Sequence, residues 1–291
     1  MFIQNSRLYL KQKFPSSYTA LRKALMAPYM FFYNRKKNTF TKRQAVKVNL
    51  DSITYNIIVD PKNGFVDEVI YTNGVYEPDI LKVIKANLKS GDTFVDIGAN
   101  IGQHSLFSAS IVGNTGKVIL FEPIPQLVLQ IKESLAENPE ITNVTIHNIA
   151  ASDTKEKAEI KLRPNNIGGS SLHHHNKDFE TITIQTIPAD DLLLGLPQVD
   201  LIKIDTEGHE IEVLQGIQKT LQTHKPKIII EFSPQLNENP ESYSNDFFKY
   251  LKNYDFYDLE TGHQKISDPA VWLKTFNKVQ TNFLCLIKQS L

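Results

Sequence analysis

Residues 93–106 read TFVDIGANIGQHSL. Thr93, Phe94, Val95 and Ile97 are strand formers in a short apolar run, with Asp96 near its end. Gly98 and Gly102 bracket a turn, and the apolar spacing from Ile101 through Leu106 and Phe107 to Ile111 suits a helix packed on a sheet. Glycine in such a turn supplies backbone angles closed to other residues and removes the Cβ where a ligand approaches the main chain. A strand that ends where a helix begins leaves a crevice at which open α/β sheets bind nucleotides.

The spacing G-A-N-I-G is neither the dinucleotide fingerprint G-x-G-x-x-G nor a P-loop ending in Gly-Lys-Ser/Thr. The missing fingerprint argues against a nicotinamide-dependent oxidoreductase. Lys117 to Glu122, KVILFE, reads as the next strand. An acid at the tip of that strand is placed to accept hydrogen bonds from ribose hydroxyls. Further on come LIKIDTEGHE (Leu201 to Glu210) and the strand-like IIIEFSP (Ile228 to Pro234).

VDIGANIG followed by FEP resembles the S-adenosylmethionine site of class I methyltransferases. LIKIDTEGHE, with IIIEFSP after it, resembles the signature of their FkbM branch. The resemblance runs over residues 75–235 in order. It implies an α/β fold of the class I methyltransferase, Rossmann-like type, with a mostly parallel sheet, helices on both faces and an N-terminal basic extension. It further implies S-adenosylmethionine as cofactor and a hydroxyl acceptor on a sugar, glycolipid or secondary-metabolite scaffold. The contrasting expectation is a non-catalytic module of the same fold that docks a partner or membrane surface through its basic arm.

At 41% hydrophobic and 22% charged residues the composition is that of a globular chain. No apolar run is long enough for a transmembrane helix. The lone Cys285, in the apolar run FLCLI, excludes an internal disulfide framework and a cysteine-built zinc site, and suits a buried strand in a reducing cytoplasm. Residues 1–50 hold eleven Lys or Arg and no acid, leaving twenty-one bases against thirty-two acids in the remainder. Three parts are expected: a basic, aromatic-rich extension over 1–44, a β-hairpin and helix over 45–91, and the methyltransferase domain over 92–291. The extension reads as two helical pieces, 6–14 and 18–32, broken at Pro15 and Pro28. Its basic residues beside aromatics suit peripheral contact with an anionic membrane, docking on the acidic body of the same chain, or, less well, nucleic acid.

From residue 93 strands and helices alternate, which argues a parallel sheet covered on both faces. Strands are expected at 93–97, 117–121, 143–148, 199–204 and 226–232. Helices are expected at 102–112, 124–137 and 209–222, with an insertion over 156–187. A helix over 239–253 and closing strands at 254–259 and 282–288 complete the pattern.

The resemblance places the cofactor against Asp96, Gly98, Asn100 and Gly102 for the methionyl end. It gives Glu122 the ribose diol, and Asn148, Ala150 and Ala151 the adenine. Read as residues alone, Asp96 and Glu122 equally suit acids that cap loop amides. Asp205, Glu207 and His209 gather at a strand end, and Glu231 faces the same rim. They could serve as acid–base or substrate-positioning groups, as ligands of a divalent ion such as magnesium, or as caps of the following helix. No metal is expected. Asp190-Asp191 reads as a helix cap or the family's acidic pair, and His173–His175 as loop histidines beside a Gly-Gly-Ser-Ser turn, within a lid over the site.

Overall fold

The structure, a computed structural model, describes residues 33–172, 178–276 and 278–288. The helical pieces expected over 6–14 and 18–32, and His173–His175, lie outside the described residues. Strands β1 (Gln44–Leu50) and β2 (Ile53–Val59) form the expected hairpin. Its turn residues Asp51 and Ser52 both have positive φ, the backbone a two-residue hairpin turn needs. Helices α1 (Phe65–Asn73) and α2 (Pro78–Asn87) follow. Helix α1 was not expected from the sequence.

The nucleotide-type core starts with β3 (Thr93–Ile97), α3 (Gln103–Val112), β4 (Lys117–Phe121), α4 (Pro125–Ala136) and β5 (Val144–His147). The expected insertion is β structure. Strand β6 (Ala150–Ser152) pairs parallel with β8 (Glu180–Pro188), which pairs antiparallel with β7 (Lys157–Leu162). After the short α5 (Asp190–Leu193) come β9 (Leu201–Ile204), α6 (Glu210–Gly216), α7 (Gln218–His224) and β10 (Lys227–Phe232). The chain continues through α8 (Pro240–Tyr250), β11 (Tyr254–Asp258), β12 (Gln264–Lys265), α9 (Pro269–Thr275) and β13 (Thr281–Ile287).

The single helix expected over 209–222 is therefore two. A Cβ at Gly216 would fall 1.8 Å from the Ser152 carbonyl oxygen, so the helix meets β6 too closely to carry a side chain there. Asp190 does not cap its own helix. Its carboxylate accepts from the Lys219 and Thr220 amides (3.0 and 2.7 Å) and so caps the restart at α7.

The main sheet has eight strands in the order β12-β11-β13-β10-β9-β3-β4-β5. The run from β10 to β5 is parallel, and β13, β11 and β12 add the antiparallel edge. The chain leaves β3 toward β4 on one side and later returns to β9 on the other. This reversal is the switch point at which such sheets open a crevice.

Because side chains alternate along a strand, register sorts the sheet into two faces. Phe94, Asp96, Leu201, Lys203, Ile229 and Glu231 share one face, with Asp96 directly opposite Lys203. The apolar members of that face join the hairpin, α2 and α3 in one core cluster. Val95, Ile97, Ile202, Ile204, Ile228 and Ile230 form the other face and pack with α6, α7 and α8. Cys285 is buried there, and burial pushes its thiol up. No helix among the described residues is long and apolar enough to cross a membrane.

Candidate active site

A cavity opens at the carboxyl ends of β3, β4 and β9, the switch point of the sheet. Its walls include Gly98, Asn100, Glu122, Ala150 and Ala151, together with Asp205, Glu207 and His209. Asp96, Gly102, Asn148 and Glu231 stand behind the wall rather than in it.

The turn after β3 has positive φ at Gly98, Asn100 and Gly102. A Cβ on Gly98 would lie 1.8 Å from the Asp205 carbonyl oxygen, and one on Gly102 would lie 3.0 Å from Ile131 Cγ1. These glycines admit neighbouring parts of the chain, and Gly98 also lines the cavity. Asp96 is fully buried and accepts from Ser105 Oγ at 2.6 Å, with Lys203 Nζ 3.9 Å from its other oxygen. Burial raises its pKa against the pull of Lys203 and Ser105.

Glu122 accepts from the Asn100 amide (2.9 Å) and from the Ile124 amide (2.9 Å), one on each oxygen. It both ties the turns after β3 and β4 together and faces the cavity. Burial pushes it up to about 8, against those two amides. Asn148 lies outside the cavity, where its amide donates to the Glu122 and Pro123 carbonyls (both 2.9 Å) and steadies the acid's backbone.

The turn 205–209 is organised by Glu210. One oxygen accepts from the Thr206 and Gly208 amides (3.0 and 3.1 Å), the other from Tyr243 Oη at 2.8 Å. Neither Asp205 nor Glu207 takes the capping role the sequence allowed them. Asp205 instead pairs with Lys203 Nζ at 3.0 Å. His209 is held from both sides, by Ser152 Oγ at 3.0 Å on Nε2 and by Glu212 3.4 Å from Nδ1. Glu207 faces the cavity with positive φ, and burial followed by repulsion from Asp205 pushes it up to about 8. Glu231 accepts from Gln280 Nε2 at 2.7 Å, and its other oxygen has no partner among the described residues. Burial, then Asp205, pushes it up to about 10.

Several wall residues escaped the sequence reading. Lys203 is buried on β9; burial works against its charge, and Asp205, Asp96 and Glu77 together outweigh it and hold its pKa high. Its signal was a lysine inside LIKI, a strand with no exposed position. Gln103 grips the segment before α2, accepting from the Tyr76 amide and donating to the Tyr76 carbonyl, both at 2.7 Å. The next residue, Glu77, has positive φ although Pro78 follows, a conformation that side chains rarely adopt. His104 lines the cavity with Nε2 3.6 Å from Glu77 Oε2. Loop residues 166–171 close the far side. Gly168 sits against the Asn100 amide, where a Cβ would be 2.2 Å from Nδ2, and Ser171 Oγ donates to the Glu207 carbonyl at 2.6 Å. Among the described residues no group of His, Cys, Asp or Glu is arranged to hold a metal ion.

A family model described as the methyltransferase FkbM domain matches residues 96–257. The chain belongs to the FkbM methyltransferase family. Among curated proteins, it is 29% identical over 149 residues to the hexuronic acid methyltransferase AglP of Haloferax volcanii, covering 50% of this chain. The chain spans 59% of the length of that protein. It is 27% identical over 203 residues to the methyltransferase sdnD of Sordaria araneosa, covering 59% of this chain and 75% of that one. A solved FkbM methyltransferase from Methylobacillus flagellatus superposes with a TM-score of 0.45 at 15% identity, covering 90% of this chain and 60% of that chain.

Proposed function

We propose that the chain is an S-adenosylmethionine-dependent methyltransferase that methylates a hydroxyl of a sugar, glycolipid or secondary-metabolite scaffold. The observation that carries it is Glu122 in the cavity wall beside the turn 98–101, at the switch point of the sheet. The residues present fit a nucleoside. Glu122 spends one lone pair of each oxygen on a backbone amide and keeps others for a diol. Ile97, Phe121, Ile124, Ala150 and Ala151 supply apolar wall for a base. Membership of the FkbM family supports the same cofactor, and the similarity to the hexuronic acid methyltransferase of Haloferax volcanii supports a sugar-type acceptor.

When bound, S-adenosylmethionine supplies an electrophilic methyl group on a positively charged sulfur. The protein must hold the acceptor oxygen in line, about 3 Å from that carbon, and take its proton. Glu207 suits the proton-taking task best. It lines the cavity, and its pKa near neutrality matches the range in which a general base works best. His209 has both ring nitrogens engaged, and Asp205 is committed to Lys203. Bound there, the cofactor would supply the methyl group, and Glu207 would hold the acceptor hydroxyl and receive its proton.

Calorimetric titration of S-adenosylhomocysteine into wild type and Glu122→Gln tests the reading. Micromolar binding that weakens at least about tenfold in the variant supports it. No binding to the folded wild type would sink it.

A further inference from the structure

We propose that His104 Nε2 accepts from the amino group at the methionyl end of the cofactor, with the Glu77 carboxylate as the neighbouring acceptor. The inference rests on the methyltransferase reading and concerns the end of the cofactor that Glu122 does not hold.

The order of the strands says which end of the cofactor comes here. Across the carboxyl edge of the sheet the neighbours run β9, β3, β4, β5. Ala150 and Ala151, apolar wall for a base, follow β5, and Glu122, placed for a ribose diol, follows β4. The turn after β3 leads into α3, whose second residue is His104. His104 lines the same cavity, as do Lys203 and Asp205 from the β9 side. A nucleoside with its base on the β5 side and its diol at Glu122 therefore extends its remaining part past the β3 turn, toward His104.

Two adjacent pairs of residues build this corner. Gln103 accepts from the Tyr76 amide and donates to the Tyr76 carbonyl, both at 2.7 Å. That grip pins the segment whose next residue, Glu77, is held at φ 46 before Pro78. Strain of this kind persists where the surroundings enforce it, and it gathers at ligand clamps. Its result is a Glu77 carboxylate oxygen 3.6 Å from His104 Nε2, just beyond hydrogen-bond reach. Glu77 itself stands behind the cavity wall, and His104 is the member of the pair that lines it. His104 is 6% exposed, yet its Nε2 has no hydrogen-bond partner among the described residues. A buried polar atom left without a partner is costly, so a ligand that supplies one is favoured there.

The chemistry of the corner selects the group. Burial, then Lys203, keeps the imidazole neutral, so one ring nitrogen retains a lone pair. A lone pair on Nε2 beside a carboxylate oxygen gives two acceptors facing one space. An ammonium group carries only donors and serves both, whereas the carboxylate at the same end of the cofactor would be set against Glu77. Lys203, the nearby cation, is committed to Asp205 at 3.0 Å.

The test is calorimetry of the full chain with S-adenosylhomocysteine and with methylthioadenosine, which keeps the adenosine and the thioether but lacks the amino-acid end. His104→Phe, which keeps a ring and removes the acceptor, is expected to weaken S-adenosylhomocysteine about tenfold or more and to leave methylthioadenosine unchanged. His104→Gln, whose side-chain oxygen is again an acceptor, is expected to lose less. In nitrogen NMR of the wild-type histidines, the Nε2 resonance of His104 is expected to shift when S-adenosylhomocysteine binds. That shift decides where a variant does not fold or methylthioadenosine is held too weakly to titrate. An unmoved resonance, a His104→Phe chain that binds S-adenosylhomocysteine as the wild type does, or an equal loss toward both ligands would overturn the inference and leave the methyltransferase reading standing. Binding of neither ligand to the folded wild type would overturn both.

Discussion

Glu122 ties two turns together with one carboxylate and, in the proposed function, also holds the ribose diol, and its substitution separates the two. Glu122→Gln keeps an acceptor for one turn amide but puts an NH2 against the other. A loss of about 1–3 kcal/mol in stability is expected from that unsatisfied amide, read by urea unfolding, beside the loss of cofactor affinity. Gly98→Ala is the sharper case. It places a methyl 1.8 Å from a carbonyl oxygen at a backbone angle of φ +81, and a destabilisation above about 2 kcal/mol is expected, read as a fall in Tm. The sequence showed that Gly98 was needed but not what approached it. That neighbour, Asp205, is more than a hundred residues away along the chain, and only the pairing of β3 with β9 brings it near. Lys203 was legible in principle, since a lysine in a fully buried strand requires partners, and its partner Asp205 stood two residues further on.

At the scale of elements, alternation of strands and helices through 93–232 was plain because each has its own period and its own stop. Helix α1, not expected from the sequence, starts after Gly64 without a side-chain cap bond. It is held by tertiary contacts instead. Asp67 accepts from the Asp60 amide and from Gln130 Nε2, both at 2.7 Å, which ties α1 to the hairpin and to α4. The break between α6 and α7 left a trace in Gly216, but its cause lies in β6. Asp190→Ala is expected to cost about 1–2 kcal/mol by uncapping α7, measured by denaturant midpoint, with cofactor affinity little changed. Gln103→Leu removes both bonds that fix Tyr76. It is expected to cost about 2 kcal/mol and to raise amide exchange across 75–77, which native-state hydrogen exchange reads directly.

Over the whole molecule, the buried acids tie stability to pH. Each carboxyl whose folded value exceeds its unfolded one binds its proton more tightly when folded. Stability is then complete below the ordinary carboxyl range and is lost as pH rises toward the raised values. With Glu77 at about 7 and Glu122 and Glu207 at about 8, the ligand-free Tm is expected to fall from about pH 5 to about pH 8. Glu231→Gln, which makes one member permanently neutral, is expected to flatten that slope; an unchanged slope would show that the acids are not its source. The basic charge of residues 1–50 was visible in composition, but its use was not. Within the described part, Lys37 pairs with Glu68, Arg43 with Asp60 and Glu133, and Phe40 stacks on Tyr71 at 4.5 Å. Contacts of this kind answer some of the acids of the body, and Phe40→Ala is expected to cost about 3 kcal/mol.

The placement of β13 has a consequence for how the chain is made. This strand lies between β10 and β11, yet both of its neighbours are synthesised before it. While a ribosome is still short of residue 281, β10 shows a naked row of amides and carbonyls, and β11 has only the two-residue β12 beside it. Such an edge can recruit strands from other nascent chains. Yield in a cell should therefore depend on how quickly translation crosses the last turns before Thr281, and on whether a chaperone shields β10 until it does.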